Sequence, residues 1–528
     1  MNFSFRRLAK LSGHLHCLLK RPHAVHAVYK PFISPKFLFS SVLVQHYHQI
    51  NSCDFMTDHK PTISSQQDPC GNSTNDEALR FQTVLKLHSY KSLEEVEQCL
   101  NQCCVSLSKD LVLNVLRRYR SEWRPAHIFF KWVCKVRNSS GFFPDTCIYN
   151  EILDILGRMK QFDEFFQVFD EMSMGRHLID QRTFAITVSR LSGAHKVDEA
   201  IGFFHKIEGF GLERDLVAFQ TLLLSLCRHK HVEEAEVLFR NKKSEFRDDI
   251  KTWNIILNGW CVLGSFRDAK RFWKDILASN SKPDKFTYGN FINSLSKSGK
   301  ISTAKKLLQT MWEKDCAPDA AICNCVMDGL CFKKRVPEAL QIFSEMSLKG
   351  CTPNASTYNT LIKHLCKIQR MEKVHELLNE MEAMGESCLP NALTYNYLIS
   401  SAKTPEEVDK ILEMMEKNGC KLLADTYNLI LRLFMKWGNE ARAKKIWDEM
   451  ENSGTGPDNR SYTIMIHGLY YNGRIRNALK YFNEMMLKGM VPEPRTKLLV
   501  DDINFKLKEI DKTRADGVKE WQGTCNAY

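Results

Sequence analysis

The 528-residue sequence holds 19 cysteines but no C-x-x-C pair. The spacings that make zinc ribbons and thioredoxin-like redox centres are therefore missing. There is no G-x-x-x-x-G-K and no H-E-x-x-H, which removes the common phosphate-loop and zinc-hydrolase chemistries. No run of 18 apolar residues occurs, so the sequence offers no segment to span a bilayer. Acidic residues are absent from the first 53 positions, where seven Lys or Arg stand, and the first acid is Asp54. That basic, acid-free segment, with Arg6-Arg7 near its start, reads as an organelle transit peptide lying outside the fold. Its Leu, Phe and His content favours mitochondria over plastids. Removing it lowers the net charge from +12 to +5, so affinity for polyanions must come from local patches. Residues 54–76, rich in Ser, Asn and Asp, read as a linker.

What the chain does have is a period. Aromatic residues recur at Tyr149, Phe184, Phe219, Trp253, Tyr288, Tyr358, Tyr395, Tyr427 and Tyr462, and Cys323 fills the vacant place. Successive spacings are 35, 35, 34, 35, 35, 35, 37, 32 and 35 residues. A fixed period of this size marks one small unit copied in tandem. In residues 285–319, Phe286, Phe291, Ile292 and Leu295 follow helical spacing. Ser298-Gly299 then breaks the pattern, and Ile301, Ala304, Leu307, Leu308 and Met311 resume it. Each unit is thus predicted to be two antiparallel helices joined by short turns. Other columns agree: alanine at Ala200, Ala235, Ala269, Ala304, Ala339, Ala443 and Ala478, and methionine at Met172, Met311, Met346, Met381, Met415, Met450 and Met485. Neither helix can bury its apolar stripe alone, so neighbours must share one continuous core. The fold class is all-α, a right-handed α-solenoid superhelix of helix-turn-helix repeats. Cys227, Cys261, Cys331 and Cys366 share a column and read as small buried packing residues; free thiols fit a reducing compartment.

The expected units are 146–180, 181–215, 216–249, 250–284, 285–319, 320–354, 355–391, 392–423, 424–458 and 459–493. Residues 77–145 read as degenerate helical repeats and 494–528 as at most one capping helix and a tail. Directly after each aromatic stand Asn150, Ala185, Gln220, Asn254, Gly289, Asn324, Asn359, Asn396, Asn428 and Thr463. A carboxamide offers donors and an acceptor in one plane and can match a base edge. Equally, Thr252, Thr287, Thr357, Thr394 and Thr426 are candidate helix N-caps, beside which an asparagine costs little. The units end in Asp180, Asp215, Asp249, Asp284, Asp319, Asn354, Asn391, Leu423, Asp458 and Glu493, where an acid also suits a helix N-terminus.

These columns, with Thr357–Asn359, Thr394–Asn396 and Thr426–Asn428 reading TYN, and LFR at 238–240 and IFSEM at 342–346 in second helices, resemble the pentatricopeptide repeat family, in its pure class without a catalytic tail. The resemblance covers roughly residues 111–493. It implies sequence-selective binding of single-stranded organellar RNA, one base per repeat, in the mitochondrial matrix, with no cofactor and with protein partners in RNA processing as a further expectation. Carried over, Asn150 with Asp180, Asn254 with Asp284, and Asn428 with Asp458 would prefer uracil. Asn324 with Asn354 and Asn359 with Asn391 would prefer cytosine or uracil. Asn396, opposite Leu423, would be weakly pyrimidine-directed, and Thr463, opposite Glu493, suggests a purine. Ala185, Gln220 and Gly289 fall outside the family's code. The implied target is pyrimidine-rich. The second residue of each unit, including Val217, Phe286 and Leu393 and the stems of Arg182, Lys251 and Arg460, would pack between bases; Cys147 and Asp425 depart from that type. The thirteenth residue is basic at Arg158, Arg228, Lys297, Lys367 and Lys436, a spacing suited to phosphates, although such residues also satisfy helix carbonyls.

Two rival classes remain. A deaminase needs H-x-E and then P-C-x-x-C; His231-Val232-Glu233 supplies the first part inside a repeat and nothing supplies the second. No catalytic or metal-ligating residue is assigned. The other rival is a protein-binding scaffold or a mitoribosome-associated component, which would need no polar code on its inner face.

Overall fold

The computed structural model describes residues 72–525, except for 88–92, 104, 176–177, 243–244, 247–248, 315, 386–387 and 455. The expected transit peptide (1–53) lies outside these residues, as does most of the expected linker. The linker's last part needs correction: α1 (Asn72–Leu87) begins inside 54–76. Its polar first turn leads directly into a stripe of buried Ala78, Phe81 and Leu85, so the segment's composition concealed a helix start. After α1 come α2 (Leu93–Asn101), α3 (Lys109–Arg118) and α4 (Trp123–Ser140).

From Thr146 onward the described helices come in pairs. They are α5 (Thr146–Arg158) with α6 (Phe162–Met174), and α7 (Gln181–Gly193) with α8 (Val197–Lys206). Next are α9 (Leu216–Arg228) with α10 (Val232–Lys242), and α11 (Ile250–Leu263) with α12 (Phe266–Ala278). The middle holds α13 (Lys285–Lys297) with α14 (Ile301–Glu313), α15 (Ala320–Phe332) with α16 (Val336–Leu348), and α17 (Ala355–Lys367) with α18 (Met371–Ala383). The series closes with α19 (Ala392–Ser401) and α20 (Pro405–Lys417), α21 (Ala424–Lys436) and α22 (Glu440–Asn452), and α23 (Asn459–Tyr471) and α24 (Ile475–Leu487); α25 (Pro494–Cys525) follows. Every first helix packs on its second helix and on the next first helix. No strand occurs among the described residues. The molecule is a helical solenoid.

The repeated columns form its core. The ten aromatic-column residues are buried, as are all seven alanines and all seven methionines. Trp253 touches second helices on either side: its ring centroid lies 4.8 Å from that of Phe239 in α10 and 5.2 Å from that of Phe272 in α12. Burying one such ring stabilises by about 1.5–3 kcal/mol relative to exposure. Alanine at the second-helix column leaves room for the first helix to approach. The column cysteines are buried too, and burial pushes the thiols of Cys227, Cys261 and Cys331 up to about 12, so they stay protonated. Between units 216–249 and 250–284, Glu236 accepts hydrogen bonds from Arg271, Arg240 and Trp260. Burial alone would raise its carboxyl, but these donors outweigh that and hold it below its ordinary range.

The turn inside each pair uses one left-handed residue. Glycine takes this place at Gly264, Gly299, Gly438 and Gly473, with φ between 70° and 82°. Lys160, His195, Lys230, Lys334 and Gln369 take it elsewhere, with φ between 59° and 71°. The backbone is the same whether glycine or a polar residue stands there. One unit departs from the rule. The aromatic spacings 37 and 32 arise because the loop before Asn391 is longer and α19 has 10 residues where its neighbours have 13. Thr404 caps α20 and Pro405 opens it, which ends α19 early.

Candidate nucleic-acid interface

The last residue of each unit begins the next first helix. Asp145, Asp180, Asp215, Asp284, Asp319, Asn354, Asn391 and Asp458 are N-caps whose side chains accept a backbone N–H. At Asp180, Asp284, Asn354, Asn391 and Asp458 the cap is a full capping box, completed by Thr183, Thr287, Thr357, Thr394 and Ser461. This corrects the expectation that Thr252, Thr287, Thr357, Thr394 and Thr426 are themselves the N-caps. They stand three residues inside; before Thr287, Thr357 and Thr394 an acid or amide does the capping, whereas Asp249 and Leu423, before Thr252 and Thr426, make no side-chain cap bond.

The caps have a second partner. Asn150 Nδ2 donates to Asp180 Oδ1 at 3.3 Å, Asn254 to Asp284 at 3.0 Å, Asn359 to Asn391 at 3.3 Å, and Asn428 to Asp458 at 3.3 Å. The structure thus joins four of the pairs expected from the repeat pattern, each across two neighbouring first helices. It also joins a pair left outside the code: Gln220 Nε2 donates to Asp249 Oδ2 and to Thr252 Oγ1, both at 2.9 Å. Asp249 correspondingly makes no side-chain cap bond. Its longer neighbour could have signalled this, since a glutamine reaches one carbon further than asparagine. Asn324 and Asn354 are not brought into hydrogen bonding, and Thr463 turns its hydroxyl back to the Asn459 carbonyl at 2.9 Å, away from Glu493. Ala185 and Gly289 bring no polar group to their places.

Burial is the main departure from expectation. An open row of amides was expected, but Asn150, Asn254, Asn324, Asn359 and Asn428 are buried, at most 9 % exposed. For Asn150, Asn254, Asn359 and Asn428 the bond just described lays the carboxamide against the neighbouring helix; Asn324 is buried without it. The side chain is left half satisfied. The Oδ1 atoms of Asn150, Asn254, Asn324, Asn396 and Asn428 are buried and have no hydrogen-bond partner. An orphaned buried acceptor costs about 1–3 kcal/mol, so each of these oxygens favours any N–H that reaches it. Asn359 differs, because Thr394 Oγ1 donates to its Oδ1 at 2.7 Å. The cap residues stand further out; Asn354, Asn391 and Asp458 are exposed. The units with Asn150, Asn254, Asn324 and Asn428 therefore form slots with an acceptor at the floor and a polar cap, Asp180, Asp284, Asn354 or Asp458, at the lip. For Asp458, burial would raise the carboxyl, but Ser461 and Asn428 donate to it and hold it below its ordinary range.

Leu423 breaks the series. It caps α21 without a side-chain bond, and Thr426 Oγ1, whose counterparts donate to their caps, is buried without a partner. Leu423 itself is 55 % exposed. Replacing Leu423→Asp is expected to raise stability by about 1 kcal/mol, because the carboxylate can accept from the Thr426 backbone and hydroxyl as its counterparts do. Chemical denaturation monitored by circular dichroism measures this; an unchanged or lowered midpoint would show that the shortened unit holds its helix start elsewhere.

Around the slots, Val217 and Leu393 are exposed and Phe286 is half-buried, as side chains that meet bases would be. Arg182, Lys251 and Arg460 are exposed as well. Arg228, Lys297, Lys367 and Lys436 are exposed on alternate first helices, α9, α13, α17 and α21. Arg158 is the exception in that basic column. Its Nη2 lies 2.8 Å from Asp154, a carboxylate it shares with Arg190, so its guanidinium is held against its own helix and is withdrawn from the phosphate line. No group of three metal-ligating side chains occurs among the described residues, and no described helix is long and apolar enough to cross a membrane.

Comparison with known proteins matches these units. A PPR repeat family model fits residues 248–297, 318–367, 353–404 and 423–470, and a PPR repeat model fits 147–175, 217–245, 286–316 and 460–490. A pentatricopeptide repeat-containing protein of Arabidopsis thaliana is 56 % identical over 435 residues, 82 % of this chain and 83 % of its own length. A mitochondrial pentatricopeptide repeat-containing protein of the same plant is 41 % identical over 423 residues, 79 % of this chain and 92 % of its own length. Among solved structures, the maize pentatricopeptide repeat protein PPR10 is similar over 79 % of this chain and 65 % of its own, at 23 % identity and a TM-score of 0.42.

Proposed function

Since the chain belongs to the pentatricopeptide repeat family, we propose that it binds single-stranded RNA in mitochondria, selecting bases with the slots between successive first helices. The observation that carries this reading is the orphaned acceptor at the floor of the slots. A base edge presenting an N–H, such as uracil N3–H, satisfies that oxygen, while the cap residue at the lip holds the amide in plane. On this reading Asn150 with Asp180, Asn254 with Asp284 and Asn428 with Asp458 take uracil. Asn324 with Asn354 and Asn359 with Asn391 take a pyrimidine, Asn396 takes one weakly, and Thr463 favours a purine. Val217, Phe286 and Leu393 separate neighbouring bases, the stack on the Phe286 ring contributing about 1–3 kcal/mol. The buried amides require that the helices part slightly, or the side chains rotate, as the base enters. That cost falls on affinity and leaves discrimination intact.

Nothing in the chain is assigned a chemical step. The protein acts by occupancy: a bound solenoid shields RNA from exonucleases, keeps a hairpin melted or presents a processing site, and it recruits protein partners where processing needs them. The mitochondrial site of action rests on the basic, acid-free N-terminal segment and on the mitochondrial relative.

The test is binding of labelled U-rich and A-rich single strands, followed by immunoprecipitation and footprint sequencing of bound organellar RNA. U-rich strands should bind tighter; equal or absent binding favours a protein-binding scaffold. The salt dependence is a separate expectation. With Arg158 withdrawn, four basic residues remain in the line, giving a slope of log K against log salt of about −2.8, from −0.7 per phosphate. A slope near zero would remove Arg228, Lys297, Lys367 and Lys436 from the binding surface.

A further inference from the structure

The slot between α21 and α23 differs from the others at its rim. Asp425 and Asn428 lie three residues apart on α21 and so share a face. Asp458 and Arg460 stand at the start of α23. Asn428 Nδ2 donates to Asp458 Oδ1 at 3.3 Å, and Arg460 Nη1 donates to Asp425 Oδ1 at 3.2 Å. Both contacts therefore bridge the same two helices. They lie at different depths: Asn428 is buried, whereas the Asp425 and Arg460 side chains are 80 % and 61 % exposed. The ion pair is the outer bridge and the amide–carboxylate pair is the inner one. Asn428 Oδ1 is itself buried and without a partner.

We propose that the Asp425–Arg460 ion pair is a latch across this slot, which a base must open before it can reach Asn428. This rests on the reading of the slots as base sites and deepens it for one unit. The second places of the other units from 146 to 423 are Cys147, Arg182, Val217, Lys251, Phe286, Ala321, Ser356 and Leu393. No two neighbours in that series carry opposite charges, so the latch belongs to this slot. An exposed ion pair contributes little, about 0.2–1 kcal/mol, which corresponds to roughly 1.4- to 5-fold in an equilibrium constant. The latch is thus a modest penalty that tunes one position. It also pairs the only acid in this column, and opening it frees the Arg460 guanidinium for a phosphate. Because exposed charges are screened, the penalty fades as salt rises, so this slot becomes relatively easier to fill when the rest of the array holds RNA less tightly.

The experiment compares the full chain with Asp425→Leu/Arg460→Leu, which removes the pair without changing net charge and leaves an aliphatic side chain on each side. Binding to a U-containing strand is measured at about 50 mM and about 500 mM salt. It is repeated with an abasic site at the nucleotide facing Asn428. A second variant, Asp425→Asn, guards against misfolding of the first, and thermal melts confirm that both fold. The latch predicts binding about 1.4- to 5-fold tighter than the parent at low salt. That gain should shrink at high salt and vanish on the abasic strand. Equal binding by parent and both variants, or a gain that persists on the abasic strand, overturns the latch. If the parent itself does not bind single-stranded RNA, the reading of the slots falls first and the latch with it.

Discussion

Exchanging Asn359→Thr together with Asn391→Asp is expected to move the preferred base at one nucleotide of the bound strand from a pyrimidine to guanine. A well-matched polar contact to a base discriminates by about 1–3 kcal/mol, so the shift should be roughly 5- to 150-fold in relative affinity at that position. The fold should tolerate the change. The carboxylate introduced by Asn391→Asp would cap α19 as Asp180, Asp284 and Asp458 cap their helices, and Thr394 would remain its capping-box partner. The amide lost at position 359 now donates to Asn391 at 3.3 Å and accepts from Thr394 at 2.7 Å. Removing it frees the Thr394 hydroxyl for the new carboxylate. The measurement is a panel of strands varied at the facing nucleotide, with the other nucleotides held fixed. Unchanged preference across the panel would refute the assignment of this unit, while leaving the rest of the array open to test.

The largest gain in stability is expected from the turns. Lys160, Lys230 and Lys334 adopt φ of 59°, 71° and 62°, where a side chain costs about 1–2 kcal/mol and glycine does not. Glycine gives back about 0.5–1 kcal/mol through its freedom in the unfolded chain. Each Lys→Gly change should then add about 0.5–1 kcal/mol. The three sites lie in separate turns, so the triple variant should gain about 1.5–3 kcal/mol. Thermal unfolding of the triple variant against the parent tests this, and a lowered midpoint would show that the lysines make contacts worth more than the strain. His195 and Gln369 share the geometry but should gain less. His195 faces His231 with ring nitrogens 3.1 Å apart, and Gln369 donates to the carbonyls of Cys366 and Ser401.

The repeat was legible because burial is periodic. A residue that must face the core does so in every unit, and the aromatic, alanine and methionine columns all landed there. The last-residue acids were legible for the same reason, since each unit must start its first helix. Contacts between units were not. That Asn150 meets Asp180 while Asn324 misses Asn354 depends on how closely two helices pass, and a column of like residues says nothing of that distance. Burial of the amides followed from those contacts and was missed with them. Arg158 looked like its column mates until Asp154, one turn earlier on the same helix, was seen to hold it. Gln220 was set aside as irregular, yet its extra carbon lets it reach both Asp249 and Thr252. The start of α1 was hidden by a polar first turn that resembles a linker in composition.

α25 begins as the first helix of a repeat would. Thr496 is fully buried at the third place and meets the His467 ring at 3.1 Å, as the inner threonines do elsewhere, and Leu498 stands 70 % exposed where the amides stand. The helix then runs on to Cys525 instead of turning back. Its opening turns are therefore a ready-made joint. A copied module spliced in behind Pro494 would find its docking face already cut, and the molecule could be lengthened one notch at a time, like a ruler.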